Sequence, residues 1–106
     1  MKQLRTMLVV AAATAALASA ADVSNGKAVY DRACKSCHGA DGTPNPAIAK
    51  MFKVDMRSLS SSEVQAMSDA DMKKIISEGK GKMHPISSVT GASLDDVVAY
   101  VRSLKK

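Results

Sequence analysis

Apolar residues near the C-terminus recur at helical spacing. Leu94, Val97, Val98, Val101 and Leu104 form one stripe, which predicts an amphipathic helix. Asp95 and Asp96 suit its positive end, Arg102, Lys105 and Lys106 suit its negative end, and Ser93 is the predicted cap. A second periodic segment covers 69–78, with Met72, Ile75 and Ile76 on one face. Ser68 with Asp71 resembles a capping box ahead of it, and Gly79 supplies the stop. Upstream, Gly26, Val29, Tyr30, Ala33 and Cys34 fall at i, i+3, i+4, i+7 and i+8, with Ser24 as the predicted cap. Residues 39–46 are dense in Gly, Asp, Thr, Asn and Pro and predict a loop, while 47–52 and 62–67 predict short helical turns. No segment alternates with the period of a strand. The expected class is all-α, with four to five short helices.

One further apolar run, 7–17, differs in kind. Lys2 and Arg5 precede it and Ala18-Ser19-Ala20 follows, the pattern of an export signal cleaved after Ala20. The run is short of the roughly 20 apolar residues a membrane span requires, and no cysteine follows to take a lipid. An uncleaved anchor is the alternative. The expected organisation is a signal peptide over 1–20 and one domain over 21–106, exported to the bacterial periplasm, with no stable membrane insertion after cleavage. Without the cations of the signal, 13 Lys or Arg face 10 Asp or Glu, a balance that does not point to nucleic acid. The large apolar residues are few, with one Phe and two Tyr in the whole chain. A domain this small and this poor in aromatics needs something else at its centre.

Cys34-Lys35-Ser36-Cys37-His38 supplies the candidate. Two thiols three residues apart can add to the two vinyl groups of a haem, and the histidine that follows can bind its iron. Cys34 and Cys37 are the only cysteines of the chain. A thioredoxin-type redox pair, a structural disulfide and half a zinc site are the competing readings. No second pair exists, and no strand pattern feeds the motif.

An exported chain with CxxCH ending its first helix, a Met in a Gly- and Pro-flanked loop and an amphipathic C-terminal helix resembles the class I monohaem cytochromes c. The resemblance covers the whole of 21–106 and implies a cytochrome c-like fold around one covalent haem c. It implies that Gly26 and Tyr30 on the first helix face Val97 and Tyr100 on the last, glycine permitting close approach. It also implies His38 and a methionine as axial ligands. Met83, within Gly79-Lys80-Gly81-Lys82-Met83-His84-Pro85, is the candidate, and its thioether would raise the potential of the iron. Met72 sits on a helical stripe and is expected in the core. His84 is the rival, because imidazole also binds haem iron well, and it stands where the family usually has a proline directly after the ligand. A carbonyl near Pro44 or Pro46 is expected to accept from the second nitrogen of His38.

The function this implies is a small soluble electron carrier with His/Met ligation, not an enzyme, serving redox partner proteins. Lys35, Lys80 and Lys82 flank the ligand segments and could meet an acidic surface on such a partner. The alternatives are a haem enzyme or gas sensor with an open or exchangeable sixth iron position, and an exported thiol-disulfide oxidoreductase.

Overall fold

The computed structural model describes residues 20–106, so the expected signal segment lies almost wholly outside the described residues. Six helices follow in order: α1 (Val23–Ala33), α2 (Lys35–His38), α3 (Pro46–Phe52), α4 (Ser62–Gln65), α5 (Asp69–Glu78) and α6 (Gly91–Ser103). Among the described residues there is no strand, only an isolated bridge between Lys80 and Met83. The count exceeds expectation because the CxxCH segment forms a short helix of its own. No helix among the described residues is long and apolar enough to cross a membrane.

Helices α1 and α6 pack closely against each other and frame the core. Val29, Tyr30, Val89 and Val97 are each no more than 2% exposed, and Val98, Tyr100 and Val101 are buried beside them. The approach is set by Gly26, where a Cβ would lie 2.0 Å from the Asp96 carbonyl oxygen and 3.0 Å from the Tyr100 Cβ. Tyr100 is therefore at the crossing as expected, but the closest partner is the Asp96 backbone rather than Val97.

Both terminal helices start earlier than their predicted caps. Asp22, not Ser24, caps α1, its Oδ1 accepting from the Asn25 amide at 3.1 Å. Thr90, not Ser93, precedes α6, so Asp95 and Asp96 sit beyond the first turn. Asp96 has a different employment. Its buried carboxylate accepts from the Asp22 amide through Oδ1 and from the Asn25 side chain through Oδ2, each at 2.7 Å. That joins the start of α1 to α6.

The middle helices follow local chemistry more closely. Asn45 caps α3, accepting from the Ala47 amide at 3.0 Å, and Pro46 occupies a first-turn position where its missing donor costs nothing. Ser68 accepts from the Asp71 amide at 3.1 Å and Gly79 closes α5, as expected. Helix α4 is shorter than the predicted 62–67. Arg102 donates to the carbonyls of Gln65 and Met67, end groups that have no partner within so short a helix. The Gln65 side chain in turn donates to the Leu59 and Val101 carbonyls at 2.8 and 2.9 Å. The segment between α3 and α5 is thus tied to α6 through side chains.

Candidate haem site

Cys34 leaves α1 with φ −123° and ψ −32°, its amide still bonded to the Tyr30 carbonyl at 2.8 Å. The Cys37 and His38 amides then bond to the Cys34 carbonyl at 3.2 and 3.0 Å. This turn places the two sulfurs and the imidazole at i, i+3 and i+4, on one face. Gly39 ends it at φ +74°, and a Cβ there would lie 2.1 Å from the Thr43 carbonyl oxygen. The following loop folds back onto α2, with the Asn45 amide on the Cys37 carbonyl at 2.9 Å and its side chain on the Ser36 carbonyl at 3.2 Å. Two tyrosines hold the loop from the core side. Tyr30 donates to the Gly39 carbonyl at 2.7 Å and Tyr100 to the Ala40 carbonyl at 3.4 Å, with ring centroids 5.0 Å apart.

The face so formed opens on a cleft of about 640 Å³, which runs inward to a second cavity of about 190 Å³. Cys34, His38, Arg57, Ile75 and Met83 line both. Ile48 and Phe52 of α3 wall the outer cleft, and Tyr30, Leu59 and Val98 wall the inner cavity. The combined space falls within the range of cofactor sites, concave and mostly apolar with a few convergent polar groups.

The donor set fits a covalent haem. Cys34 and Cys37 are free thiols. Burial, with a smaller contribution from Cys37, pushes the Cys34 thiol up to about 11. Burial holds the imidazole of His38 below its usual range, favouring the neutral form that binds metal. His38 Nδ1 is buried with no hydrogen-bond partner, so the expected carbonyl near Pro44 or Pro46 does not reach it. No group of three His, Cys, Asp or Glu residues that could hold a metal occurs among the described residues.

The methionines sort themselves by position. Met83 is half-buried and lines both the cleft and the inner cavity, whereas Met67 and Met72 line only the inner cavity and Met56 only the outer cleft. Met72 is buried in the core cluster, as expected, and Met51 is 63% exposed. His84 is exposed and touches the outer cleft alone. Met83 is held by its own backbone, the Lys80 and Met83 amides each bonding to the other's carbonyl at 3.0 Å. Arg57, Met56 and Met67 were not visible as lining residues in the sequence. The stretch 53–61 has no periodicity, and it is tied down by the Leu59 amide on the Gly42 carbonyl at 3.0 Å and by the Gln65 side chain on the Leu59 carbonyl at 2.8 Å.

Comparison with known proteins gives the family. The profile described as "Cytochrome C oxidase, cbb3-type, subunit III" matches residues 21–101. A solved structure, the KustC0563 c-type cytochrome, is similar with a TM-score of 0.64 and 31% sequence identity over 76% of this chain and 98% of that one. No curated protein matches the chain. The fold, the CxxCH turn and the cleft it faces agree with these matches, and the chain belongs to the cbb3-type subunit III family of c-type cytochrome domains, which carry covalent haem c and transfer electrons.

Proposed function

We propose that the chain is a small soluble electron carrier, with Cys34 and Cys37 as the haem attachment points and His38 and Met83 as axial ligands. The observation that carries the ligand assignment is that, among the methionines of the described residues, Met83 alone lines both cavities with His38, while His84 lines only the outer cleft. The bound haem supplies iron that alternates between the ferrous and ferric states, tuned upward in potential by a thioether ligand. The chain's own part is to hold, orient and exclude water. The α2 turn fixes the imidazole and both sulfurs, Ile75 and Val98 keep the inner face apolar, and the Lys80–Met83 turn limits the movement of the sulfur. Such a turn counts against an open sixth position, and with it against the enzyme and gas-sensor reading.

The docking face is the rim of the outer cleft. Lys27, Lys73 and Arg102 are engaged by Asp31, Asp95 and Asp69, whereas Lys80 and Lys82 on the rim and Lys35 on α2 form no ion pair among the described residues. These cations suit an acidic surface on a redox partner. Lys2, Arg5 and the run 7–17 support export to the periplasm with cleavage after Ala20, as c-type cytochromes are typically exported. Intact mass and absorption spectra of the exported protein in both redox states test this reading. A mass of 21–106 plus one haem, unextracted by acidic acetone, is the expected result. An apoprotein mass with Cys34 joined to Cys37 would overturn it.

A further inference from the structure

Two glycines flank the start of the turn that carries Met83, and their surroundings differ. Gly79 has φ 77° and ψ 170°, a region that glycine alone populates readily. A Cβ there would lie 2.6 Å from the Met83 carbonyl oxygen and 2.9 Å from both Cδ and N of Pro85. Gly81 also has positive φ, at 58°, but a Cβ on it would meet nothing within 4 Å. The segment is otherwise anchored to α5 at both ends, by the Gly79 amide on the Ile75 carbonyl and the Ile86 amide on the Ile76 carbonyl, each at 2.8 Å.

We infer that Gly79 is a positioning residue for Met83: its missing side chain lets residues 83–85 lie against the end of α5, and this contact sets where the sulfur enters the cleft. The inference rests on the reading of Met83 as the axial ligand. The chain between the two anchors is short, so displacing the Met83 carbonyl shifts the Lys80–Met83 bridge and the side chain with it. A substitution at Gly79 therefore acts on the ligand, while the same substitution at Gly91, at the start of α6 with φ 56° and nothing within 4 Å of an added Cβ, costs conformational energy outside the Met83 turn.

The test compares Gly79→Ala, Gly91→Ala and Met83→Ala as haem-loaded proteins. It reads the weak long-wavelength sulfur-to-iron band of the ferric form, the reduction potential and carbon monoxide binding by the ferrous form. Gly79→Ala is expected to weaken the band, lower the potential and tighten carbon monoxide binding about tenfold or more, in proportion to the fraction of molecules with the sulfur displaced. Gly91→Ala is expected to keep the wild-type band, potential and affinity. A wild-type band and affinity in Gly79→Ala, with the band lost in Met83→Ala, would overturn the positioning role alone. Retention of the band in Met83→Ala would instead remove the ligand reading on which it rests. Should Gly79→Ala yield no holoprotein, amide exchange in the wild-type holoprotein decides. The Lys80 and Met83 amides are expected to be protected to the level of the Ile86 amide, and exchange at the rate of an open loop would overturn the inference.

Discussion

Gly26 and Asp96 stand backbone against backbone: a Cβ on Gly26 would come within 2.0 Å of the Asp96 carbonyl oxygen and 2.6 Å of its carbon. A side chain could swing away from another side chain, but the Asp96 carbonyl is fixed by α6. Gly26→Val is therefore expected to push the terminal helices apart and to cost about 3 kcal/mol, the upper end of overpacking penalties. The melting temperature of the haem-loaded variant checks this, and a value equal to wild type would place the crossing elsewhere.

The Asp96 side chain makes the second link between the same helices. Its two oxygens satisfy the Asp22 amide and the Asn25 side chain. Asp96→Ala leaves both donors without their acceptor in a part-buried position, for an expected loss of about 2 kcal/mol. Asn25→Ala removes only one bond and leaves the Asp22 amide on its acceptor, so about 1 kcal/mol is expected. Denaturant titration of the two variants separates them, and equal midpoints would show that the Asp22 amide contributes nothing.

Arg102 offers a contrast between a charge pair and hydrogen bonds to carbonyls. Its pairing with Asp69, at 2.8 Å, involves a carboxylate side chain 65% exposed, and a pair of that kind contributes little. Its donations to the Gln65 and Met67 carbonyls hold the segment between α4 and α5 and are part-buried. Asp69→Asn is expected to cost less than about 1 kcal/mol. Arg102→Ala is expected to cost about 2 kcal/mol, and Arg102→Lys to recover little of it, since an ammonium lacks the planar fork that reaches two carbonyls at once. Chemical denaturation of the three variants measures this order, and a reversal would mean that the ion pair with Asp69 holds the segment more strongly than the two carbonyl bonds do.

What could be read in advance divides along the range of the interactions responsible. Helix α5 was legible to the residue because Ser68, Asp71 and Gly79 act within the helix they delimit. The caps of α1 and α6 were misplaced because Asp22 and Thr90 lie upstream of the apolar stripe, and because Asp96 serves a partner 74 positions away in the chain rather than its own helix. The free carbonyl at the end of α4 is met by Arg102, 37 positions from Gln65, which no local pattern encodes. In the site, the CxxCH turn was legible because its spacing is its geometry. The contributions of Arg57 and Met56 to the cavity were not, since they depend on how the aperiodic segment 53–61 is tied down, and that of Met67 was not, since it lies in the turn between α4 and α5.

The ligand assignment gives the last prediction. With Met83 bonded through sulfur, Met83→Ala is expected to abolish the long-wavelength band, lower the reduction potential and admit exogenous ligands to the iron. His84 is exposed and lines only the outer cleft, so His84→Ala should leave the band and the low-spin spectrum unchanged. Electronic absorption and potentiometry on the two variants decide between them. Loss of the low-spin spectrum in His84→Ala, with Met83→Ala silent, would make the site bis-histidine, and the domain would then deliver electrons at a lower potential than a thioether ligand sets.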